Sequence, residues 1–186
     1  MKNLLFISRN IPSSGGDVES ERTMYFCKLL AKNYGVYLLP SGFEWSDDEK
    51  EAAVRKLGVK LIYPRNNCSK QLFNIIFENR IKTVFFGSRD LVPGFYRQLP
   101  FFSKVVVDTA GRKSNLVEKT GQVHIRELCQ QADVLIVASK KDKQIFKKKC
   151  PKKKILLVPF NQSARSTQNI SFYETEKKTI TMLRGV

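Results

Sequence analysis

With 186 residues and 42% hydrophobic content, the chain has material for one well-packed globular domain. Its 33 Lys and Arg against 17 Asp and Glu give a formal charge of +16, a positive potential that favours polyanionic partners and argues against polycationic ones. No apolar stretch approaches the roughly 20 residues that cross a bilayer, because the longest candidate, 26–39, is interrupted by Lys28, Lys32 and Asn33.

In chain order, an apolar run at Leu4–Ser8 reads as a strand, followed by a Pro/Ser/Gly loop and a helix starting near Asp17–Ser20. Further strand-length runs recur at Val36–Leu39, Val59–Ile62, Thr83–Phe86, Lys104–Asp108, Val134–Val137 and Ile155–Val158. Helical patterns lie between them at Asp47–Leu57, Ser69–Asn79, Pro93–Phe101, Asn115–Gln131 and Lys140–Lys149. This alternation predicts an α/β fold, a Rossmann-like doubly wound parallel sheet in a three-layer α/β/α sandwich. Ligands of such sheets gather at the carboxyl ends of the strands, which singles out the loops Ser8–Asp17, Gly87–Asp90 and Asp108–Arg112 and the pair Ser139–Lys140.

The start MKNLLFISRNIPSS has too short an apolar core for a secretory signal and is broken by Arg9, so the expected location is cytoplasmic. Cys27, Cys68, Cys129 and Cys150 are far apart and accompanied by a single histidine, His124, which is not a zinc pattern; no metal is expected. In a reducing compartment the expectation is free thiols acting as small hydrophobes, with no disulfide.

The first loop carries the sharpest signal. Gly15 and Gly16 let a ligand approach the backbone, and a helix beginning just after them aims unpaired N–H groups and a positive dipole end into the loop. Such a site suits a phosphate; a tight turn without ligand uses the same residues. The segment lacks Gly-x-Gly-x-x-Gly, which disfavours NAD. Arg22 lies within the first turns of the helix, placed either to fold back toward the anion or to pair with Glu19 or Glu21 on the same helix.

At the next strand ends, VVVDTAGRKSN offers Asp108 to orient or deprotonate an acceptor hydroxyl, or to cap the local turn, with Thr109 and Arg112 beside it. His124 precedes Glu127 by three residues and falls on a helix rather than at a strand end, poor placement for a catalytic base. Ser139 ends a strand, at the rim or as a helix cap. The run KKDKQIFKKKCPKKK, including Lys140, Lys141, Lys147, Lys148 and Lys149, is lysine-rich rather than arginine-rich. Lysine point charges suit diffuse attraction to an anionic membrane surface, and equally make a solvated helix face.

Several of these motifs together resemble the N-terminal domain of the two-domain GT-B glycosyltransferases, in particular the family 4-like domain. ISRNIPSSGGDVESER stands where that family carries Pro-x-x-Gly-Gly-x-x-x-x-Arg; VHIRELCQQADVLIVASK is similar to its helix, Ala-Asp, strand and serine; and KKKILLVPFN matches its strand ending in Val-Pro. Two departures stand out. Ala110 and Gly111 occupy the neighbourhood of a frequent family histidine, and Phe160-Asn161-Gln162-Ser163 replaces Asn-Gly-Val-Asp.

The resemblance implies an acceptor-side domain over 1–160, then a connector and the first strand of a further domain over 161–186. The implied reaction is transfer of a sugar from a nucleotide-sugar to a glycan or lipid-linked acceptor, in cell-envelope or polysaccharide synthesis, with no cofactor. Gly15, Gly16, Arg22 and Ser139 would face the donor diphosphate; Asp108, Thr109 and Arg112 would face the acceptor. The implied partners are that second domain or a partner subunit and, through the lysines, the inner face of the membrane. A different class stays open alongside it: a basic non-catalytic module that binds nucleic acid or serves a complete transferase as a subunit.

Overall fold

In the computed structural model, residues 1–42, 48–63, 68–110, 119–159 and 181 are described. Among the described residues seven strands form one sheet: β1 (Lys2–Ser8), β2 (Tyr34–Pro40), β3 (Lys60–Leu61), β4 (Thr83–Phe86), β5 (Lys104–Asp108), β6 (Val134–Val137) and β7 (Lys154–Leu157). Their spatial order is β3-β2-β1-β4-β5-β6-β7, and every pairing is parallel. The fold is therefore the expected α/β Rossmann-like sandwich.

Parallel strands covered on both faces read as continuous apolar runs, and β1 at the centre is such a run, with Leu4 to Ile7 fully buried. Its side chains alternate between two cores. Leu4 and Phe6 pack with Val36, Leu38 and Phe85 beneath α1 (Val18–Ala31) and α2 (Asp48–Arg55). Leu5 and Ile7 pack with Val84, Phe86 and Val107 beneath α3 (Cys68–Glu78), α4 (Val92–Phe95), α5 (Lys119–Gln131) and α6 (Lys140–Lys149). Because each helix carries the chain back to the start of the next parallel strand, helix N-termini share one pole with strand C-termini, and helix C-termini share the other with strand N-termini.

Two sequence expectations change here. The helix over Pro93–Phe101 is reduced to the four residues of α4 between short 3-10 turns at Arg89–Leu91 and Tyr96–Gln98. Pro93 suits a helix start, whereas Gly94 and Pro100 do not sustain one. Cys129 and Cys150 form a disulfide, correcting the expectation of reduced thiols: α5 and α6 are adjacent crossovers ending at the same pole, which brings these residues, 21 apart in sequence, to a Cα separation of 5.4 Å. Cys27 is free and buried as expected, and burial pushes its thiol up to about 12. Of the connector after Pro159 only Thr181 is described, exposed and with helical backbone; the rest lies outside the described residues. No helix of the described residues is long and apolar enough to cross a membrane.

Candidate functional site

The chain reverses its direction of travel across the sheet between β1 and β4, so the loops leaving their carboxyl ends diverge and open a crevice. The Gly87 N–H donates to the Ile7 carbonyl at 2.8 Å and fixes the two strand ends side by side. Above them Arg9 spans the crevice. Its Nη2 lies 3.3 Å from Asp90 Oδ2, on the loop after β4, and its Nε lies 3.5 Å from Glu19 Oε1 on α1.

The glycine loop is built to lie close against α1. Gly15 adopts φ +86°, a left-handed conformation that L side chains rarely occupy, with open space around it. Gly16 is required for a different reason: a Cβ there would sit 2.8 Å from Ser13 Oγ and 2.9 Å from Ser20 Oγ. Ser20 ties the loop to the helix by accepting the Ser13 N–H at 2.8 Å. Asp17 caps α1, its carboxylate accepting the Ser20 N–H at 2.8 Å. One helix-start donor is thus taken internally, and the remaining positive end faces a cavity of about 280 Å3 lined by Arg9, Asn10, Ser13, Gly16, Thr23 and Lys50 and equally by Asp17 and Glu19. Hydroxyls, an amide, a guanidinium, an ammonium and two carboxylates converge there.

Arg22 and Asp108, which the sequence offers for separate roles, are brought together. Arg22 Nε lies 2.5 Å from Asp108 Oδ2 and its Nη2 lies 3.0 Å from Oδ1. Its Nη1 donates to the Val158 carbonyl at 3.1 Å, and the guanidinium carbon lies 5.2 Å from the Phe26 ring centre. The side chains are only 2% and 1% exposed, so this is a buried clamp between α1, the end of β5 and the segment after β7. Asp108 also accepts the Ala110 N–H at 3.1 Å, the local turn contact that its sequence position suggests. Burial pushes its carboxyl above the ordinary carboxylate value, while the Arg22 charge and the hydrogen bonds from Arg22 and Ala110 pull the other way.

The other candidates separate. Thr109 is buried and its hydroxyl donates to the Ile136 carbonyl at 2.8 Å, locking β5 to β6. Arg112 lies outside the described residues. Ser139 caps α6, accepting the Asp142 N–H at 3.0 Å and donating to Asp142 Oδ2 at 2.6 Å. His124 falls on α5. Lys140 and Lys141 are exposed at the rim end of α6, whereas Lys147, Lys148 and Lys149 are exposed at the opposite pole. Sequence reasoning marks the loops of Arg9 and Asp90 but not these side chains; the usable signal is their position one and four residues past the two strands that flank the switch point. Lys50 arrives from α2 and has no such signal.

No family model matches the chain, and no curated protein matches it. Among solved structures it is similar to Anabaena Alr3699/HepE in complex with UDP, with 12% identity and a TM-score of 0.54 over 95% of this chain. It is also similar to glucose dehydrogenase from Haloferax mediterranei, with 11% identity and a TM-score of 0.44, covering 97% of this chain and 41% of that one. The chain spans half, 50%, of the HepE chain it matches, and that likeness is one of fold.

Proposed function

We propose that the chain is the N-terminal, acceptor-side half of a glycosyltransferase that uses a nucleotide-sugar, with the Gly15–Gly16 loop as its contact to the donor diphosphate. The observation that carries this reading is the glycine loop itself, set at the start of α1, beside the β1/β4 switch point and over a cavity lined by Arg9 and Lys50. The likeness in fold to a UDP complex, over half of that chain, supports it.

In the proposed reaction the bond from the anomeric carbon to the diphosphate oxygen breaks and a bond to an acceptor oxygen forms. The acceptor proton is lost and the nucleoside diphosphate departs. This chain contributes positioning and charge: loop N–H groups and Arg9 against the developing diphosphate charge, and an acceptor surface along the strand-end rim, with Asp108 and Thr109 buried beneath it. The buried Arg22–Asp108 clamp holds α1 against the end of β5 behind that rim. A second domain supplies the pocket for the nucleotide base and sugar, so this chain alone turns over poorly.

Titration calorimetry with UDP, GDP and a UDP-sugar, on the chain and on Gly16→Val, tests the proposal. Weak nucleotide binding that the substitution removes is the expected result. Nucleotide binding that Gly16→Val leaves intact would contradict the glycine loop's role, and absence of binding in both would contradict the reading as a whole.

A further inference from the structure

We infer that the pole opposite the glycine-loop rim is a docking surface for an anionic lipid bilayer, with Phe101 and Phe102 as the groups that enter it. Phe73 and Phe77 are one turn apart on the outer side of α3, 47% and 53% exposed, while Leu72, Ile75 and Ile76 of the same helix fill the core. Their rings stack at 4.5 Å. Phe77 meets Phe102 edge-on at 5.7 Å, and Phe102 meets Phe101 edge-on at 5.6 Å. Phe101 sits at the tip of a turn closed by the Ser103 N–H on the Pro100 carbonyl, and is 99% exposed. A contiguous exposed ladder of four phenylalanines marks an interaction site rather than scattered surface residues.

Charge decides the occupant. Strand N-termini and helix C-termini meet at this pole, and exposed Arg80, Lys82 and Lys104 flank the ladder along the chain. Lys147, Lys148 and Lys149 end α6 at the same pole. Among the described residues the carboxylates toward this pole include Glu78, which closes α3, Glu127 about one turn before the end of α5, and Asp133, which accepts the Val105 N–H at 2.8 Å. An apolar wedge flanked along the chain by Arg80, Lys82 and Lys104 matches a membrane interface, where rings enter the acyl boundary and cationic groups meet anionic headgroups. Nucleic acid suits the ladder less well: Phe73 and Phe77 stack on each other, and most of the basic groups at this pole are lysines, which lack the planar fork of arginine. This inference is independent of the donor-site reading, since it concerns the other end of the molecule.

Co-sedimentation with phosphatidylcholine vesicles, with and without about a third phosphatidylserine, tests it on the full chain beside Phe101→Ser/Phe102→Ser. The expected result is binding that requires phosphatidylserine, weakens with salt, and falls at least about tenfold in the double variant with an unchanged unfolding midpoint. A second variant reads insertion directly. Phe101→Trp in a Trp45→Phe background should fold normally and lose emission to brominated acyl chains in anionic vesicles. Equal binding by wild type and the double variant, or no binding to anionic vesicles, overturns the inference. So does capture of poly(U), or self-association in sedimentation, that depends on the phenylalanines while vesicles are ignored.

Discussion

Arg22 and Asp108 form a two-point ion pair across 86 residues of sequence, closed inside the protein at the carboxyl end of β5. A carboxylate so enclosed carries a large desolvation cost that Arg22, with the Ala110 N–H, offsets. Asp108→Asn or Arg22→Met alone should therefore lower unfolding free energy by about 3–5 kcal/mol, since each leaves an uncompensated buried group. Combining them should cost well under the sum, and denaturant titrations arranged as a double-mutant cycle read the coupling. Additive losses would show that the pair does not act as a unit.

The two glycines of the first loop should respond differently. Gly15→Ala forces an L residue into φ +86° and should cost about 1–2 kcal/mol through backbone strain, with open space for its methyl group. Gly16→Ala meets two serine hydroxyls, so Ser20→Gly should recover part of its loss but none of that at Gly15. Thermal denaturation of the four variants checks the pattern.

Cys27 gives a pH signature. Its folded thiol titrates near 12 against an ordinary value of 9.0, so the thiol's contribution to stability is complete below pH 9 and is lost as pH rises toward 12. Between those limits the unfolded chain releases the proton first. Wild type should lose about 1.4 kcal/mol per pH unit relative to Cys27→Ala over that window. Unfolding free energies at pH 9 and pH 10 measure it, and parallel curves for the two proteins would refute it.

The Cys129–Cys150 bridge closes a loop of 21 residues, for which the chain-entropy relation predicts about 3 kcal/mol. Adding reductant should lower the unfolding midpoint of wild type and leave that of Cys129→Ala/Cys150→Ala unchanged.

The sheet was legible because its strands are buried on both faces and so appear as short apolar runs between helical patterns. Ser139 as a cap was legible because capping is local. What escaped depends on contacts distant in sequence: the partner of Arg22, the approach of Cys129 to Cys150, and the convergence of Arg9, Glu19 and Asp90 over the crevice. Helical periodicity shows an amphipathic α3 but does not show that Phe73 and Phe77 stay outside the core, because phenylalanine counts as apolar on either face. The helix over Pro93–Phe101 failed for a local reason, the Gly94 and Pro100 that interrupt it.

The most direct test of the central claim is calorimetric titration of UDP into the chain at moderate and high salt, beside Gly16→Val. Specific diphosphate recognition by the glycine loop predicts weak one-to-one binding that survives added salt and disappears in the variant. Heat that vanishes with salt, or that is identical in the variant, would mean that UDP responds only to the net charge of +16 and that the loop is a turn without a ligand.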